Sequence, residues 1–479
     1  MNAPAELPPA AATMELGRIF ARQRNAFAAE RYPGLAVRLD RLTRLKALVR
    51  NNEDRFVAAV AQDFGHRSAH ETRLAELYIV VAEIAHAQKH LARWMRARRV
   101  ATPLHLLPGR ARIERQPVGV VGIISPWNYP VQLALAPALG ALAAGNRVLL
   151  KPSELTPATS ALLQSLVAAQ FAQDEFAVVL GDAEAGRAFT QLPFDHLFFT
   201  GSTAVGRQVA RAAADNLTPV TLELGGKSPA LFAPDADFAL TAPRLMSGKL
   251  LNAGQTCIAP DYVLVPRGSE GAFGEAFARA VAKLFPSIVG NPDYAAIISP
   301  RHHERLQALL AQAEGEGARL QVVNPGAGTV GAARQMAPVL VFDTTPAMKL
   351  MDEEIFGPIL PVLPYASMDE AISYINDRPR PLALYWFGSD TAARDDVLAR
   401  TVSGGVTVND TLMHIAHENL PFGGVGDSGW GAYHGEAGFL RFTQQKPVLV
   451  QSKWARGDLF YPPYGKRFDQ VMGLLKRLI

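Results

Sequence analysis

The chain is 479 residues long, which sets a soft expectation of about three domains at roughly 150 residues each. Hydrophobic residues are 49% and charged residues 19%, so large buried cores are within reach, and neither dominant disorder nor a collagen-like repeat fits. Lys plus Arg number 48 against 44 Asp plus Glu, and a net +4 without a clustered basic face does not argue for a nucleic-acid partner.

The chain carries one cysteine, Cys257. That excludes an internal disulfide and a Cys-rich zinc centre, and it fits a reducing, cytoplasmic setting. Residues 1–20 contain Glu6 and Glu15 and no continuous apolar run, so no secretory signal is expected. Residues 116–146 are uncharged and long enough to span a bilayer. Pro126, Pro130 and Pro137 interrupt them, and Gly119 and Gly122 suit a strand-to-loop passage, so no membrane helix is expected.

In chain order, residues 8–12 read as a frayed end and residues 14–60 as mostly helical, with a break at Pro33-Gly34. Residues 69–98 predict a second long amphipathic segment, which Pro103 and Pro108 end. From Arg112 the pattern alternates. Strands are predicted at 118–125, 146–151, 176–180, 196–200 and 219–224, with helices at 131–144, 157–170, 183–192 and 201–215. A strand at 262–265 and helices at 271–284 and 301–316 follow. Such alternation predicts a parallel sheet covered by helices.

Four segments carry chemistry. Cys257 follows Asn252, Gly254, Gln255 and Thr256, odd company for a purely apolar thiol. A free thiol of pKa about 8.5 is mostly protonated at neutral pH yet intrinsically nucleophilic. Glu223 lies between Leu222 and Leu224 at a strand's C-terminal end, followed by Gly225-Gly226, where α/β sheets place ligands. Asn128, flanked by Pro126 and Pro130 just past a β run, reads either as a turn residue or as a means to fix an amide N–H against a developing oxyanion. Gly201 and Ser202 follow a strand and open a helix, an anion-binding arrangement. Two decoys get little weight. Gly226-Lys227-Ser228 lacks the leading glycine of a phosphate loop, and Gly424–Gly429 has dinucleotide spacing without a preceding strand.

Together these segments resemble the aldehyde dehydrogenase superfamily over residues 40–450. The Glu223 and Cys257 segments match superfamily signatures. Lys151-Pro152-Ser153-Glu154, Glu353–Pro358 and Pro421–Gly424 match further motifs in family order. Asp458–Tyr464 and the run around Tyr433-His434 resemble the class 3 and coniferyl-aldehyde branch.

The resemblance implies an α/β fold with a Rossmann-like NAD domain (1–98 and 118–225), a catalytic domain (226–425), and a small β oligomerisation element with a tail (99–117 and 426–479). It implies NAD-dependent oxidation of an aldehyde to the acid, with NADP also possible. Cys257 would be the nucleophile, Asn128 an oxyanion donor and Glu223 the base that activates water. The cofactor residues implied are Ile124, Ser125, Pro126, Trp127, Lys151, Ser153, Glu154, Gly201, Ser202, Val205, Leu224, Gly225, Glu354 and Phe356. Tyr129, Ile258, Met413, His414 and Trp430 would line a mostly apolar substrate entrance, so an aromatic or medium-chain aldehyde is expected. A homodimer is expected, and no metal: His302-His303-Glu304 reads as a helix-surface cluster, and His414, His417 and His434 as structural residues or pocket lining near the substrate mouth. The competing readings are a thiol esterase using the same Cys and Glu, a semialdehyde dehydrogenase for an anionic substrate, and a non-enzymatic protein on the same fold.

Overall fold

The structure is a computed structural model that describes residues 9–326 and 334–477, with side chains from Met14 onward. Helices Pro9–Ala29, Leu35–Arg50 and Glu53–Phe64 come first, broken at Pro33-Gly34 as the sequence predicts. Pro8 lies outside the described residues. From Pro9 the chain is helical rather than frayed, since a proline in the first turn loses no hydrogen bond. The 69–98 segment is not one regular helix either. Ser68 caps the short turn Ala69–Thr72, Arg73–Tyr78 winds with π geometry, and Ile79–Trp94 returns to α. Such π turns concentrate at functional sites, and this one carries Glu76 into the interior.

One sheet has six strands. In spatial order they are Gly429–Trp430, Val220–Glu223, His196–Thr200, Val120–Ile124, Arg147–Lys151 and Phe176–Val178. All pair in parallel except the two-residue edge strand. The chain leaves Val120–Ile124 toward Arg147–Lys151 and later returns to its other side at His196–Thr200. That reversal is the topological switch point, where open α/β sheets leave a crevice at the strands' C-terminal ends. The loop at 125–131 and the Gly201-Ser202 turn both open there.

Helix Gln132–Ala144 follows that loop, and all 13 of its residues are buried. A helix apolar all round belongs inside a large core, so the stretch that is long enough for a bilayer serves instead as a central strand plus this helix. Among the described residues no helix is long and apolar enough to cross a membrane.

A second sheet has seven strands in the order Arg319–Val322, Val339–Phe342, Ile359–Tyr365, Tyr262–Pro266, Pro229–Phe232, Ala383–Phe387 and Gly405–Val408. Only Tyr262–Pro266 among these was legible as a strand. The inner strands are short apolar runs without period-2 alternation, because a parallel sheet is buried on both faces, while the edge strand Arg319–Val322 is antiparallel, polar and partly exposed. A third sheet joins Arg98–Val100, Arg110–Pro117 and Thr443–Val450, all antiparallel. Residues 426–441 precede that sheet's Thr443–Val450 strand and pack elsewhere. Gly429–Trp430 pairs with Val220–Glu223, and helix Gly435–Arg441 packs on Gln132–Ala144.

Leu142 is fully buried in the central helix. Leu142→Ala is expected to lower unfolding stability by about 2–5 kcal/mol, the range for a buried leucine deleted without collapse of the site. Denaturant titration measures it, and a loss below about 1 kcal/mol would contradict this packing.

Candidate active site

Helix Phe238–Leu250 ends in the turn Leu251–Gly254, where the backbone leaves helical geometry. Asn252, Ala253 and Gly254 have φ of 52°, 51° and 79°, three consecutive left-handed residues. Asparagine tolerates that region and glycine has no penalty, but alanine is strained. Gly254 has a second reason to be glycine: a methyl group there would collide with the Gly357 carbonyl.

The turn is held from several sides. The Gln255 side-chain amide donates to the carbonyls of Asn252 at 2.9 Å and Ala296 at 3.1 Å, and its oxygen accepts from the Ile298 N–H at 2.9 Å. The Thr256 hydroxyl bonds the Tyr129 hydroxyl at 2.8 Å, and Tyr385 donates to the Ile258 carbonyl at 2.5 Å. Cys257 therefore sits between two anchored neighbours.

Asn128 meets this turn from the 125–131 loop. Its side-chain nitrogen donates to the Gln255 carbonyl at 3.1 Å. An amide nitrogen has two hydrogens; one is used to orient the group, and the second is free for a ligand beside the thiol. Glu223 completes the group at the end of Val220–Glu223. It is 3% exposed, and neither carboxylate oxygen has a hydrogen-bond partner. Burial pushes its carboxyl well above the usual range, with Arg441 opposing weakly. The Cys257 thiol is pushed up to about 12, first by burial and then by the carboxylates of Glu354 and Glu223. The thiol and both carboxylates thus share one low-dielectric site.

The switch-point crevice lies alongside. Ser202 caps helix Thr203–Asp215, its hydroxyl accepting from the Val205 N–H at 3.4 Å. Buried Lys151 donates to Glu154 at 3.1 Å, and the Glu154 side chain is 45% exposed, so its carboxylate is steadied while still open to a sugar hydroxyl. Gly225 admits the Glu354 carboxylate, which a methyl group would displace. Trp127 packs edge-on against Phe356 at 5.4 Å and His302 at 5.0 Å. A helix N-terminus for phosphates, a carboxylate for ribose hydroxyls and a rimmed aromatic wall form a donor set that fits a dinucleotide.

The substrate-lining expectations fare unevenly. Tyr129 is buried with Ala75 and Leu133 in a small apolar cluster separate from the main cores, with Leu251 packed against it. Ile258 is 1% exposed and belongs to the main core. His414 bonds Thr407 at 2.8 Å and stacks on Phe422 at 5.9 Å, so it wedges the 411–422 loop in place. Met413 is 55% exposed on that loop. Trp430 does not belong to the site. Its backbone pairs with Leu222, whose side chain packs in the cluster beneath the sheet. Paired residues share a face and successive ones alternate, so Trp430 faces away from Glu223.

The histidines also move. His303 is buried and His302 lies against Trp127, so the cluster is not a simple surface feature. His434 is buried 3.2 Å from Glu83, between helices Ile79–Trp94 and Gly435–Arg441, rather than at a mouth. Lys227 is a structural anchor, bonded to Asp261 and to the carbonyls of Leu350 and Glu353. Tyr385 and Arg67 escaped sequence reading because neither carries a local signature, while Asn252, Gln255 and Tyr433 stood out only as members of motifs, without a role of their own. Tyr433 is fully buried, its hydroxyl has no partner, and Glu223, Glu83 and Cys257 all act on it.

With one thiol in the chain, alkylation reports its state directly. The iodoacetamide rate of the ligand-free protein is expected to rise about tenfold per pH unit from 7 to 10 without a plateau, following the scarce thiolate. A plateau below pH 9 would contradict the raised thiol.

The Aldehyde dehydrogenase family model matches residues 5–448. A coniferyl aldehyde dehydrogenase of Pseudomonas sp. is 47% identical over 468 residues, covering 96% of each chain. The substrate-bound structure of Staphylococcus aureus AldH superposes with a TM-score of 0.91 at 37% identity, covering 96% of this chain and 99% of that one. A Mycobacterium tuberculosis aldehyde dehydrogenase complexed with NAD+ gives 0.82 at 30% identity, covering 92% and 91%. Matched along nearly its whole length in both sequence and fold, the chain belongs to the aldehyde dehydrogenase family.

Proposed function

We propose that this aldehyde dehydrogenase uses NAD to oxidise an uncharged aromatic or medium-chain aldehyde, with a coniferyl aldehyde-like compound as the leading substrate. The observation that carries the mechanism is the convergence of three groups from distant segments: the Cys257 thiol, the Asn128 amide anchored to Gln255, and the buried, unbonded carboxylate of Glu223. Cys257 attacks the carbonyl carbon as its thiol proton passes to the ionised Glu223 carboxylate and from there to solvent, which returns Glu223 to its basic form. The Asn128 amide and the Cys257 backbone N–H hold the resulting oxyanion, a role in which one donor is worth about 10²–10³ in rate. Bound NAD supplies the hydride acceptor. Lys151, Glu154, Ser202 and Glu354 would hold it, with Trp127 and Phe356 beside its ring. Loss of hydride from the substrate carbon leaves a thioester on Cys257. Glu223 then takes a proton from a water, which attacks the thioester and releases the acid and the thiol.

The substrate class rests on the likeness to the coniferyl-aldehyde branch, since Ala75, Tyr129 and Leu133 are buried in a packed cluster beside Thr256. It is supported by the name of the Pseudomonas relative. Apolar walls discriminate at about 1–3 kcal/mol per methylene, so the range is broad. We also infer a homodimer, in which the exposed strand Thr443–Val450 pairs across subunits and covers its open edge. A cytoplasmic setting suits a nucleophilic thiol that must stay reduced.

Glu223→Gln is expected to slow steady-state turnover by roughly 10² or more while leaving a pre-steady-state NADH burst. The raised Glu223 carboxyl sets the sign of the pH dependence. The base is the ionised form, so deacylation climbs as pH rises through a midpoint above the usual carboxylate range, and the variant loses that limb. Near-normal turnover in the variant would move the base elsewhere.

A panel of coniferyl aldehyde, cinnamaldehyde, benzaldehyde, hexanal and succinate semialdehyde, followed by NADH formation, tests the substrate class. The uncharged members are expected to lead in kcat/KM. A tenfold advantage for the anionic aldehyde would overturn the assignment, and ester cleavage without aldehyde-dependent NADH would favour the esterase reading.

A further inference from the structure

Arg67 lies between helix Glu53–Phe64 and the turn Ala69–Thr72, and its side chain is fully buried. It touches neither the thiol nor Glu223 by any bond in the structure. Its guanidinium nonetheless reaches three ways. Nη1 donates to the Glu76 carboxylate at 3.0 Å and to the Asn128 carbonyl at 2.9 Å, and Nε donates to Glu71 at 3.3 Å. Its face lies over the rings of Tyr129 at 4.7 Å and Phe64 at 4.9 Å. Nε and Nη1 carry the hydrogen bonds, Nη2 has none, and the flat guanidinium face is left to stack between two rings, which an ammonium cannot do.

Each contact continues toward the site. The second oxygen of Glu76 accepts from the N–H groups of Val131 at 2.7 Å and Gln132 at 3.3 Å, the start of the central helix. Asn128 stands between the end of strand Val120–Ile124 and that helix, so Glu76 pins the loop's far end while Arg67 pins its middle. Asn252, in the left-handed turn, donates to the same Asn128 carbonyl at 2.9 Å. The Asn252 backbone N–H lies close enough to Glu71 to favour its ionised carboxylate. The Tyr129 ring, seated on the guanidinium, passes its hydroxyl to Thr256.

We propose that Arg67, set by Glu71 and Glu76, is a positioning residue that locks the Asn128 amide and the Cys257 turn into one reactive geometry. The proposal rests on the reading of Asn128 as the oxyanion donor. A buried ion cluster is by itself weak evidence of stabilisation, because apolar residues of equal volume often serve stability as well. What sets this one apart is where its contacts lead: directly to the carbonyl of the residue that carries the amide, which Asn252 also bonds, and through the Tyr129 ring to Thr256 beside the nucleophile. A displacement of about 1 Å in such a constellation costs about 10² in rate.

A double-mutant cycle tests it, read by the pre-steady-state NADH burst with cinnamaldehyde. Arg67→Met is expected to slow the burst at least tenfold, with the KM for aldehyde and the Kd for NAD within twofold of wild type. Arg67→Lys keeps the charge without the fork and is expected to recover only part of the loss. In an Asn128→Ala background, Arg67→Met should cost less than a further twofold, because the group it positions is gone. Equal losses in both backgrounds would make Arg67 merely structural and overturn the proposal, as would a normal burst in Arg67→Met. Should Arg67→Met not fold, Glu76→Gln keeps the shape and enters the same cycle with the same expectation. If Asn128→Ala alone leaves the burst intact, the oxyanion reading falls and this one with it. If Asn128→Ala is slow and the Arg67 and Glu76 variants are normal, only this one falls.

Discussion

The chemistry depends on a turn that the backbone does not choose by itself. Three left-handed residues in succession, Asn252, Ala253 and Gly254, lead into Cys257. A non-glycine residue in that region costs about 1–3 kcal/mol and persists only where its surroundings over-determine it. Here they do. Asn252 bonds the Asn128 carbonyl, and the Gln255 side chain is anchored by three hydrogen bonds, two from its nitrogen and one to its oxygen. Gly254 lies against Gly357, three residues from Glu354. The strain that presents the thiol thus also brings the Glu354–Phe356 segment close to it.

A second constraint is electrostatic. Glu223, Cys257 and Glu354 are gathered where burial opposes charge, and all three are shifted toward their neutral forms, Glu354 to about 8. Like charges add to the effect, since each carboxylate raises the thiol. Such a site disfavours charge, so charge that develops there leans on the groups already in place. Preorganised donors such as the Asn128 amide then act in a low dielectric, where each is worth more than in water.

The two larger sheets divide the labour. The switch point of the six-stranded sheet presents a helix N-terminus and the Lys151–Glu154 pair, while the thiol arrives from the turn that precedes the seven-stranded sheet's Tyr262–Pro266 strand. Contacts such as Asn128 to Gln255 and Tyr129 to Thr256 bridge residues 127 positions apart. They hold the two sources of the site in register.

Much of this was legible in the residues alone. The alternating first sheet, the Pro157–Gln170 helix and the His196–Thr200 strand appear where hydrophobic runs and turn residues put them, because those signals are local. Glu223, Cys257 and Asn128 stood out because glycine, proline and amide neighbours mark places where a backbone must turn or approach closely. The later strands were hidden, since burial on both faces erases alternation. Trp430 was misplaced because strand pairing, not composition, decides which face a residue shows. The sequence by itself determined the kind of chemistry, through the types of a few residues in marked local settings. Only the tertiary structure decided how those groups are aimed. Arg67 reaches Asn128 across 61 positions, Glu76 turns inward on a π turn, and such long-range hydrogen bonds leave no periodic trace in the chain.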